Sequence, residues 1–331
     1  MKADLLTIAR QFDHQAISVE PLAICKNTVY KVACKTDSFV LRMTNEHHRS
    51  IAQLNSELDF QKYLFDHGAA VVKPLQTESG EVCIPIEIER SCFIASAFEF
   101  AKGKNWDERK DNSEQVLQKI GATLGKIHRL SKEYSPIKVA RRRMWSEQQD
   151  LQKSEVFKKH SSELYNKYLC FMREMKSQAI TDGTFGLTHG DYLSSNYIID
   201  EESNTVTVID FDECEYSWYA ADLAICIRAS LFWTADPTAL HEKADEAEMM
   251  HYNLLLGYRS ENKITEDMIR DLEKYIRIRD FIELASLLSY ESDVFDKYPI
   301  ERILLDMNLD RVLNDKPFLE YSRARIEQLL V

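Results

Sequence analysis

Residues 188–196 read THGDYLSSN, and residues 208–212 read VIDFD. Two short apolar runs, 196–199 and 206–209, are joined by a polar segment. This pattern predicts a loop followed by a β-hairpin, inside a part of the chain whose periodicity is otherwise helical. Because the two open ends of a hairpin meet at one edge, polar side chains that flank the hairpin are expected to lie side by side.

Three oxygen-bearing side chains in this stretch have the chemistry that phosphoryl transfer requires. Asp191 offers a carboxylate that can accept the hydrogen bond of an attacking hydroxyl. Asn196 offers an amide oxygen and Asp210 an anionic oxygen, which are ligands that hold magnesium against phosphates. Single Asp and Asn residues in loops commonly form turns and caps, but this combination favours the catalytic interpretation. His189 is expected to order the loop, since Asp191 already supplies the base.

The first hundred residues show the pattern of strands around one helix. The runs 28–34 and 38–43 predict a hairpin, and residues 50–67 carry apolar side chains on one face of a helix. A polar, turn-prone break then begins at Ala101. We therefore predict an N-terminal lobe over 1–101 and a C-terminal lobe over 102–331.

The second lobe is mainly helical in pattern. Residues 113–128 form a strongly amphipathic stretch, residues 163–175 also show helical periodicity, and this periodicity resumes at Ala221 and continues to the end of the chain. A strand-rich part followed by a helical part predicts the α+β class rather than alternating βαβ units.

The composition narrows the classes of partner. The chain has 331 residues and a formal net charge of −12, which argues against nucleic acid as a partner. Residues 1–15 are polar and charged, and no later run approaches the roughly 18 apolar residues of a membrane span, so we expect neither a signal peptide nor a membrane partner. Seven cysteines without a C-x-x-C pair predict buried, reduced thiols in a cytoplasmic protein. No feature of the sequence indicates an oligomeric state.

The H-G-D-x-x-x-x-N motif at 189–196 and the I-D-F-D motif at 209–212 resemble those of the aminoglycoside phosphotransferase and choline kinase family. The resemblance extends over most of the chain, for example at 67–74 and 121–131. It implies a protein-kinase-like fold of two lobes, with a small β-rich N-terminal lobe and a larger, mainly helical C-terminal lobe. It also implies ATP and Mg²⁺ as cofactors.

The same resemblance implies roles for individual residues. Asp191 would be the catalytic base, and Asn196 and Asp210 would be magnesium ligands. Arg42 would contact the ATP phosphates and pair with Glu57.

Four further positions follow from the resemblance. The backbone of Glu99 and Ala101 would meet the edge of the adenine, Asn27 would lie near the phosphates, and Asp222 would brace the catalytic loop.

Two departures from the pattern of protein kinases are visible. Position 42 is arginine where protein kinases use lysine; arginine is bulkier and forked, but it keeps the charge and can pair with a carboxylate. The segment 23–27 has no glycine and the chain has no G-x-G-x-x-G motif, which argues against a conventional protein kinase.

Several residues keep more than one interpretation. Asp212 could assist a metal, touch the acceptor or cap the following segment. The basic run 141–143 could meet an anionic acceptor, although such runs are usually solvated. Arg277, Arg279 and Tyr290 lie where this family often builds its acceptor site, although core packing and surface exposure are commoner roles. Four tryptophans could form an aromatic cage but are more typical of core residues: Trp106, Trp145, Trp218 and Trp233.

We therefore predict an enzyme that moves the γ-phosphoryl group of ATP to a hydroxyl of a small molecule, such as an aminoglycoside-, choline- or homoserine-like acceptor. Two alternatives remain open. One is a Ser/Thr protein kinase of the same fold, and the other is a non-catalytic ATP-binding scaffold.

Overall fold

A computed structural model describes residues 4–24, 27–88, 91–107, 113–136, 139–233, 244–318 and 324–330. The chain forms two compact units. The first unit comprises Met1–Trp106, Arg129–Arg142 and Ser195–Cys214, and the second comprises Asp107–His128, Arg143–Ser194 and Glu215–Val331. The predicted α+β class is confirmed, since a strand-rich N-terminal region precedes a region dominated by helices.

The first unit is built on an antiparallel sheet in the order β1-β2-β3-β6-β4, with β5 also paired to β6. Its strands are β1 (Ser18–Ile24), β2 (Asn27–Ala33), β3 (Ser38–Asn45), β4 (Pro74–Leu75), β5 (Cys83–Ile88) and β6 (Ser91–Glu99). The β2–β3 hairpin turns where the sequence predicts it, with Ala33 opposite Ser38.

Two helices, α1 (Leu5–Ala9) and α2 (Ile51–Asp66), accompany this sheet. The helix predicted over 50–67 is confirmed as α2, and Ser50 begins it with a capping box in which the Ser50 hydroxyl accepts from Gln53 N and the Gln53 side chain accepts from Ser50 N. Leu54 and Leu58 of α2 lie in one apolar cluster with Ile94 and Phe98 of β6. This packing fixes α2 against the sheet.

The predicted hairpin near residue 200 is also confirmed. It is formed by β9 (Tyr197–Asp200) and β10 (Thr205–Val208), and a short strand β7 (Lys104–Asn105) pairs with β9. Gly103, just before β7, has a φ of 119° and lies against Ile199 so closely that a Cβ would overlap the backbone. Only glycine fits this approach.

The second unit is mainly helical. The helices that follow α2 are α3 (Glu114–Ser131), α4 (Ser154–His160), α5 (Ser162–Lys176), α6 (Tyr219–Trp233), α7 (Ala244–Glu261), α8 (Glu266–Arg270), α9 (Leu272–Leu287), α10 (Ser292–Lys297), α11 (Pro299–Leu313) and α12 (Ala324–Glu327). Strands β8 (Phe185–Thr188) and β11 (Glu215–Trp218) pair with each other in a two-stranded ladder. β8 precedes the segment with the sequence motifs, and β11 follows it.

The structure corrects the prediction that the cysteines are buried. Cys34, Cys83 and Cys214 are buried, whereas Cys92 and Cys170 are exposed. None of the cysteines that the structure describes forms a disulfide bond, and Cys25 lies outside the described residues.

Two of the four tryptophans, Trp145 and Trp218, are core residues whose ring centroids lie 5.4 Å apart. The side chain of Trp233 lies outside the described residues. Among the described residues, none of the helices has the length and apolar character needed to span a bilayer.

Candidate active site

The loop that follows β8 carries Asp191, and its backbone is shaped by Gly190. Gly190 has a φ of 81°, in the left-handed region that side chains disfavour. Asp191 N donates to His189 Nδ1 at 3.3 Å, and the His189 ring is fully buried. His189 therefore orders the loop, as the sequence predicts.

Asp222, in the first turn of α6, accepts hydrogen bonds from the backbone of this loop. Its Oδ2 accepts from His189 N at 2.6 Å and its Oδ1 accepts from Gly190 N at 2.9 Å. His128 Nε2 lies 3.0 Å from Asp222 Oδ2. Burial by itself would raise the pKa of Asp222, but the hydrogen bond from His128 and the loop contacts hold this pKa below its ordinary value. A buried carboxylate thus fixes the backbone on either side of Gly190.

The carboxylate of Asp191 contacts an arginine from a distant helix. Arg279 Nη2 of α9 donates to Asp191 Oδ1 at 3.1 Å. Arg279 is neither buried in the core nor simply exposed, since its side chain is 20% exposed and ion-paired with Asp191. No local pattern in the sequence marks the contact, since 88 residues separate the two partners.

In the first unit, Arg42 of β3 and Glu57 of α2 form a buried ion pair. Arg42 Nη1 donates to Glu57 Oε1 at 2.8 Å, and Arg42 Nε donates to Ser96 Oγ at 3.2 Å. Burial raises the pKa of Glu57, and the charge of Arg42 opposes this shift. Among the described residues, Arg42 Nη2 and Glu57 Oε2 are buried without a hydrogen-bond partner. A buried donor of this kind is costly unless a ligand satisfies it.

Asn196 and Asp210 lie at the open end of the β9–β10 hairpin. The ladder pairs Tyr197 with Val208, and Ile209 N donates to Asn196 O at 3.0 Å, so the hairpin brings the two predicted ligands to one edge. Asp210 has a φ of 62° and its side chain is 49% exposed, whereas Asn196 is buried. Arg42 Nη1 lies 3.9 Å from Asp210 Oδ1.

This arrangement could hold a hard divalent cation, because it supplies one accessible carboxylate and one amide oxygen. Arg42, Glu57 and Asp210 are therefore brought together in the first unit, whereas Asp191 belongs to the second.

Asp212 has a structural partner. Arg49 Nε donates to Asp212 Oδ1 at 2.9 Å, and the same arginine pairs with Glu213 at 2.9 Å. Sequence reasoning missed Arg49, because nothing near it in the chain points to a partner 163 residues away. The ion pair with Arg49 anchors the segment after Asp210, and this is a role of Asp212 that the sequence does not indicate.

Arg142 corrects the interpretation of the basic run 141–143 as a solvated face. Its side chain is buried and donates to the carbonyl oxygens of Gln53, Asp212 and Cys214 at 2.7–2.9 Å. Arg142 therefore ties the start of α2 to the segment that follows β10.

The remaining predicted binding residues occupy defined places in the first sheet. Asn27 begins β2 opposite Thr44. Glu99 ends β6, and its N–H donates to Lys73 O at 2.9 Å. Ala101 packs with Val40 and Ile209 against the apolar cluster under α2.

Comparison with known proteins gives the family. The model of the phosphotransferase enzyme family matches residues 19–258. The chain is 24% identical over 281 residues to the amicoumacin kinase of Bacillus subtilis (strain 168), a match that covers 84% of this chain and 82% of that protein.

Solved structures show the same fold. An amicoumacin kinase in complex with AMP-PNP, Ca²⁺ and Ami superposes with a TM-score of 0.85 at 22% identity, covering 97% of this chain and 96% of the other. A microcompartment-associated aminopropanol kinase gives a TM-score of 0.70 at 18% identity, with 96% and 100% covered. The expected resemblance is confirmed: the chain belongs to the phosphotransferase enzyme family.

Proposed function

We propose that this protein transfers the γ-phosphoryl group of ATP to a hydroxyl of a small molecule, with Mg²⁺ as the metal. The observation that carries the proposal is the buried Arg42–Glu57 pair with Asp210 at 3.9 Å from Arg42. The pair leaves Arg42 Nη2 buried without a partner among the described residues. A phosphate oxygen is the kind of acceptor that would satisfy this donor.

The proposed roles follow from the chemistry of each group. Asp191 accepts the proton of the acceptor hydroxyl, and the loop held by Asp222 fixes its position. Asn196 and Asp210 hold Mg²⁺, which neutralises and orients phosphate oxygens when bound. Arg42 supplies a permanent positive charge toward the phosphates.

The remaining roles concern the nucleotide and the chain as a whole. The backbone of Glu99 and Ala101 would receive the adenine edge, and Asn27 would lie near the phosphates. We keep the lobe boundary after residue 101 as part of the proposal. We also keep a cytoplasmic location, because ATP is a cytoplasmic substrate.

The relatives favour a small-molecule acceptor over a protein. The matched proteins are named as kinases of amicoumacin and of aminopropanol, and the second of these is a small hydroxyl compound by name. The ion pair of Asp191 with Arg279 further supports a working base, since a scaffold has no need of an oriented carboxylate at this position.

The test is a coupled assay of ADP release with Mg²⁺ and ATP over a panel of hydroxyl compounds. The panel includes amicoumacin, 1-amino-2-propanol, ethanolamine, choline, homoserine and an aminoglycoside. We expect release that depends on one class of acceptor and disappears in Asp191→Ala. Equal release by the variant, or phosphorylation of a generic protein substrate in place of every panel member, would contradict the proposal.

A further inference from the structure

Helix α9 carries two arginines, Arg277 and Arg279, which have different hydrogen-bond partners. Arg277 Nη1 donates to Arg311 O at 2.9 Å, and its Nη2 donates to Lys316 O at 3.1 Å. These contacts bind the end of α11 to α9, so Arg277 has a structural role.

The residue that follows Arg279 is also structural. Asp280 is fully buried and pairs with Arg228 at 3.1 Å and with Arg311. Arg228 in turn contacts Glu283 and Asn308. This network anchors α9 to α6 and α11, and its Asp280, Arg228 and Asn308 side chains are buried. It holds the backbone of Arg279 in a fixed place.

Arg279 differs from both neighbours. Among the residues that the structure describes, its hydrogen-bonded partner is Asp191, and only the Nη2 group of Arg279 donates to it. Its side chain is 20% exposed, and that of Asp191 is 29% exposed. A guanidinium has five N–H donors in a planar fork. Its Nε and Nη1 groups are therefore available to water or to a bound molecule at the place where the proposed base is accessible.

We propose that Arg279 selects the acceptor by charge. It favours a hydroxyl compound with a carboxylate, amide or carbonyl oxygen beside the reacting hydroxyl, and it disfavours one with an ammonium group there. The inference rests on the proposed function, because it takes Asp191 as the base that the hydroxyl must approach.

The physical basis is the fixed charge of the guanidinium. An oxygen acceptor beside the hydroxyl can accept from the donors that Asp191 leaves unused, and a carboxylate can do so through two parallel hydrogen bonds. An ammonium group at the same place meets a like charge in a partly desolvated site, and such repulsion is a common source of specificity.

The experiment compares three acceptors of equal length: 3-hydroxypropanoate, 3-hydroxypropanamide and 3-amino-1-propanol. KM and kcat are measured with Mg²⁺ and ATP for the native chain, Arg279→Gln, Arg279→Lys and Arg270→Gln. Binding of each compound is measured in parallel by calorimetry in the presence of AMP-PNP and Mg²⁺. Arg270 is the matched control, because it lies on α8 and is exposed in ion pairs with Asp267 and Asp271.

The native chain is expected to bind the carboxylate and the amide at least about tenfold more tightly than the amine. Arg279→Gln is expected to remove this preference, by raising KM for the first two compounds about tenfold and lowering KM for the amine. Arg279→Lys should keep part of the preference, since it retains the charge but not the fork. Arg270→Gln should behave as the native chain does.

The inference would be overturned by a native preference for the amine, by an unchanged ranking in Arg279→Gln, or by binding of none of the three compounds. An equal loss of kcat for all acceptors in Arg279→Gln would also count against it, because it indicates a structural role. Failure of the proposed function looks different. The calorimetric ranking would then still depend on Arg279, while no acceptor-dependent ADP release would occur with either the native chain or Asp191→Ala.

Discussion

At the scale of single residues, burial of the Arg42–Glu57 ion pair is expected to cost more free energy of desolvation than the pair contributes to stability. Both side chains are at most 6% exposed, so both charges have lost their hydration. A buried ion pair seldom stabilises a protein more than apolar residues of the same size would. Arg42 also lies 3.9 Å from Asp210, which connects the pair to the proposed metal site. We infer that function, rather than stability, retains these two charges.

The pair can be separated from the fold by a double substitution. Glu57→Ala should lower the free energy of unfolding by about 3–5 kcal/mol, because it leaves the Arg42 guanidinium buried without its carboxylate. The double variant Arg42→Met with Glu57→Leu should recover most of this loss in urea unfolding. Phosphoryl transfer should nevertheless be lost in both. A stable double variant with native activity would show that the pair has no part in the reaction.

The sequence predicts some of these residues and not others. Asp191, Asn196 and Asp210 are marked by a motif of fixed spacing, and the partnership of Arg42 with Glu57 follows from the family resemblance. The contacts of Arg49 with Asp212 and of Arg279 with Asp191 span 163 and 88 residues. Such contacts depend on how distant elements pack, and local periodicity contains no information about them.

At the scale of elements, α3 and α7 approach each other through glycines. A Cβ on Gly257 would overlap Gln118 O, and a Cβ on Gly121 would overlap Leu254 O. The backbones therefore touch at these two positions, and the contact positions α3 next to Tyr192, whose hydroxyl donates to Ile120 O at 2.9 Å.

Gly257→Ala should lower the free energy of unfolding by about 1–3 kcal/mol or more, because the added methyl forces the two helices apart. Gly183→Ala is the matched control: its nearest contact would be Thr181 Oγ1 at 3.9 Å, so the change should be neutral or slightly stabilising. Urea unfolding of the two variants measures the difference. Equal stabilities would mean that the helices are not packed as closely as described.

A buried histidine in α7 makes stability depend on pH. Burial lowers the pKa of His251 to about 3, from an ordinary value of 6.5. Between these values the unfolded chain binds a proton that the folded chain does not. Stability contributed by His251 is therefore complete above about pH 6.5 and is lost as the pH falls toward 3, with a slope of up to about 1.4 kcal/mol per pH unit. His251→Gln should remove this part of the slope in urea unfolding measured at a series of pH values, and an unchanged slope would contradict the assignment.

The elements themselves were predictable where the pattern is long. The β2–β3 and β9–β10 hairpins and the helices α2, α3 and α5 follow from alternation, amphipathic periodicity and capping residues. The structure adds α1, β1, β8 and β11, which the sequence did not indicate. β1 contains Pro21 and a register shift beside it, and β8 and β11 have four residues each and pair on either side of the loop that carries Asp191. Strands of four residues are too short to show a period of two, and in β1 the register shift interrupts this period.

At the scale of the whole molecule, the proposed tasks fall in different compact units. The charges assigned to phosphates and metal, Arg42 and Asp210, belong to the first unit, and the base Asp191 belongs to the second. Nucleotide binding and activation of the hydroxyl should therefore be separable by substitution. Loss of one should not entail loss of the other.

The most direct test is a single-turnover measurement of transfer of the labelled γ-phosphoryl group from ATP to the acceptor. It compares the native chain, Asp191→Asn and Asp210→Asn, with the Kd for AMP-PNP and Mg²⁺ measured on the same samples. We expect Asp191→Asn to slow transfer by about 10²–10⁴-fold and to leave the Kd nearly unchanged, whereas Asp210→Asn should weaken metal-dependent binding. Transfer by Asp191→Asn at the native rate would contradict the role of Asp191 as the base.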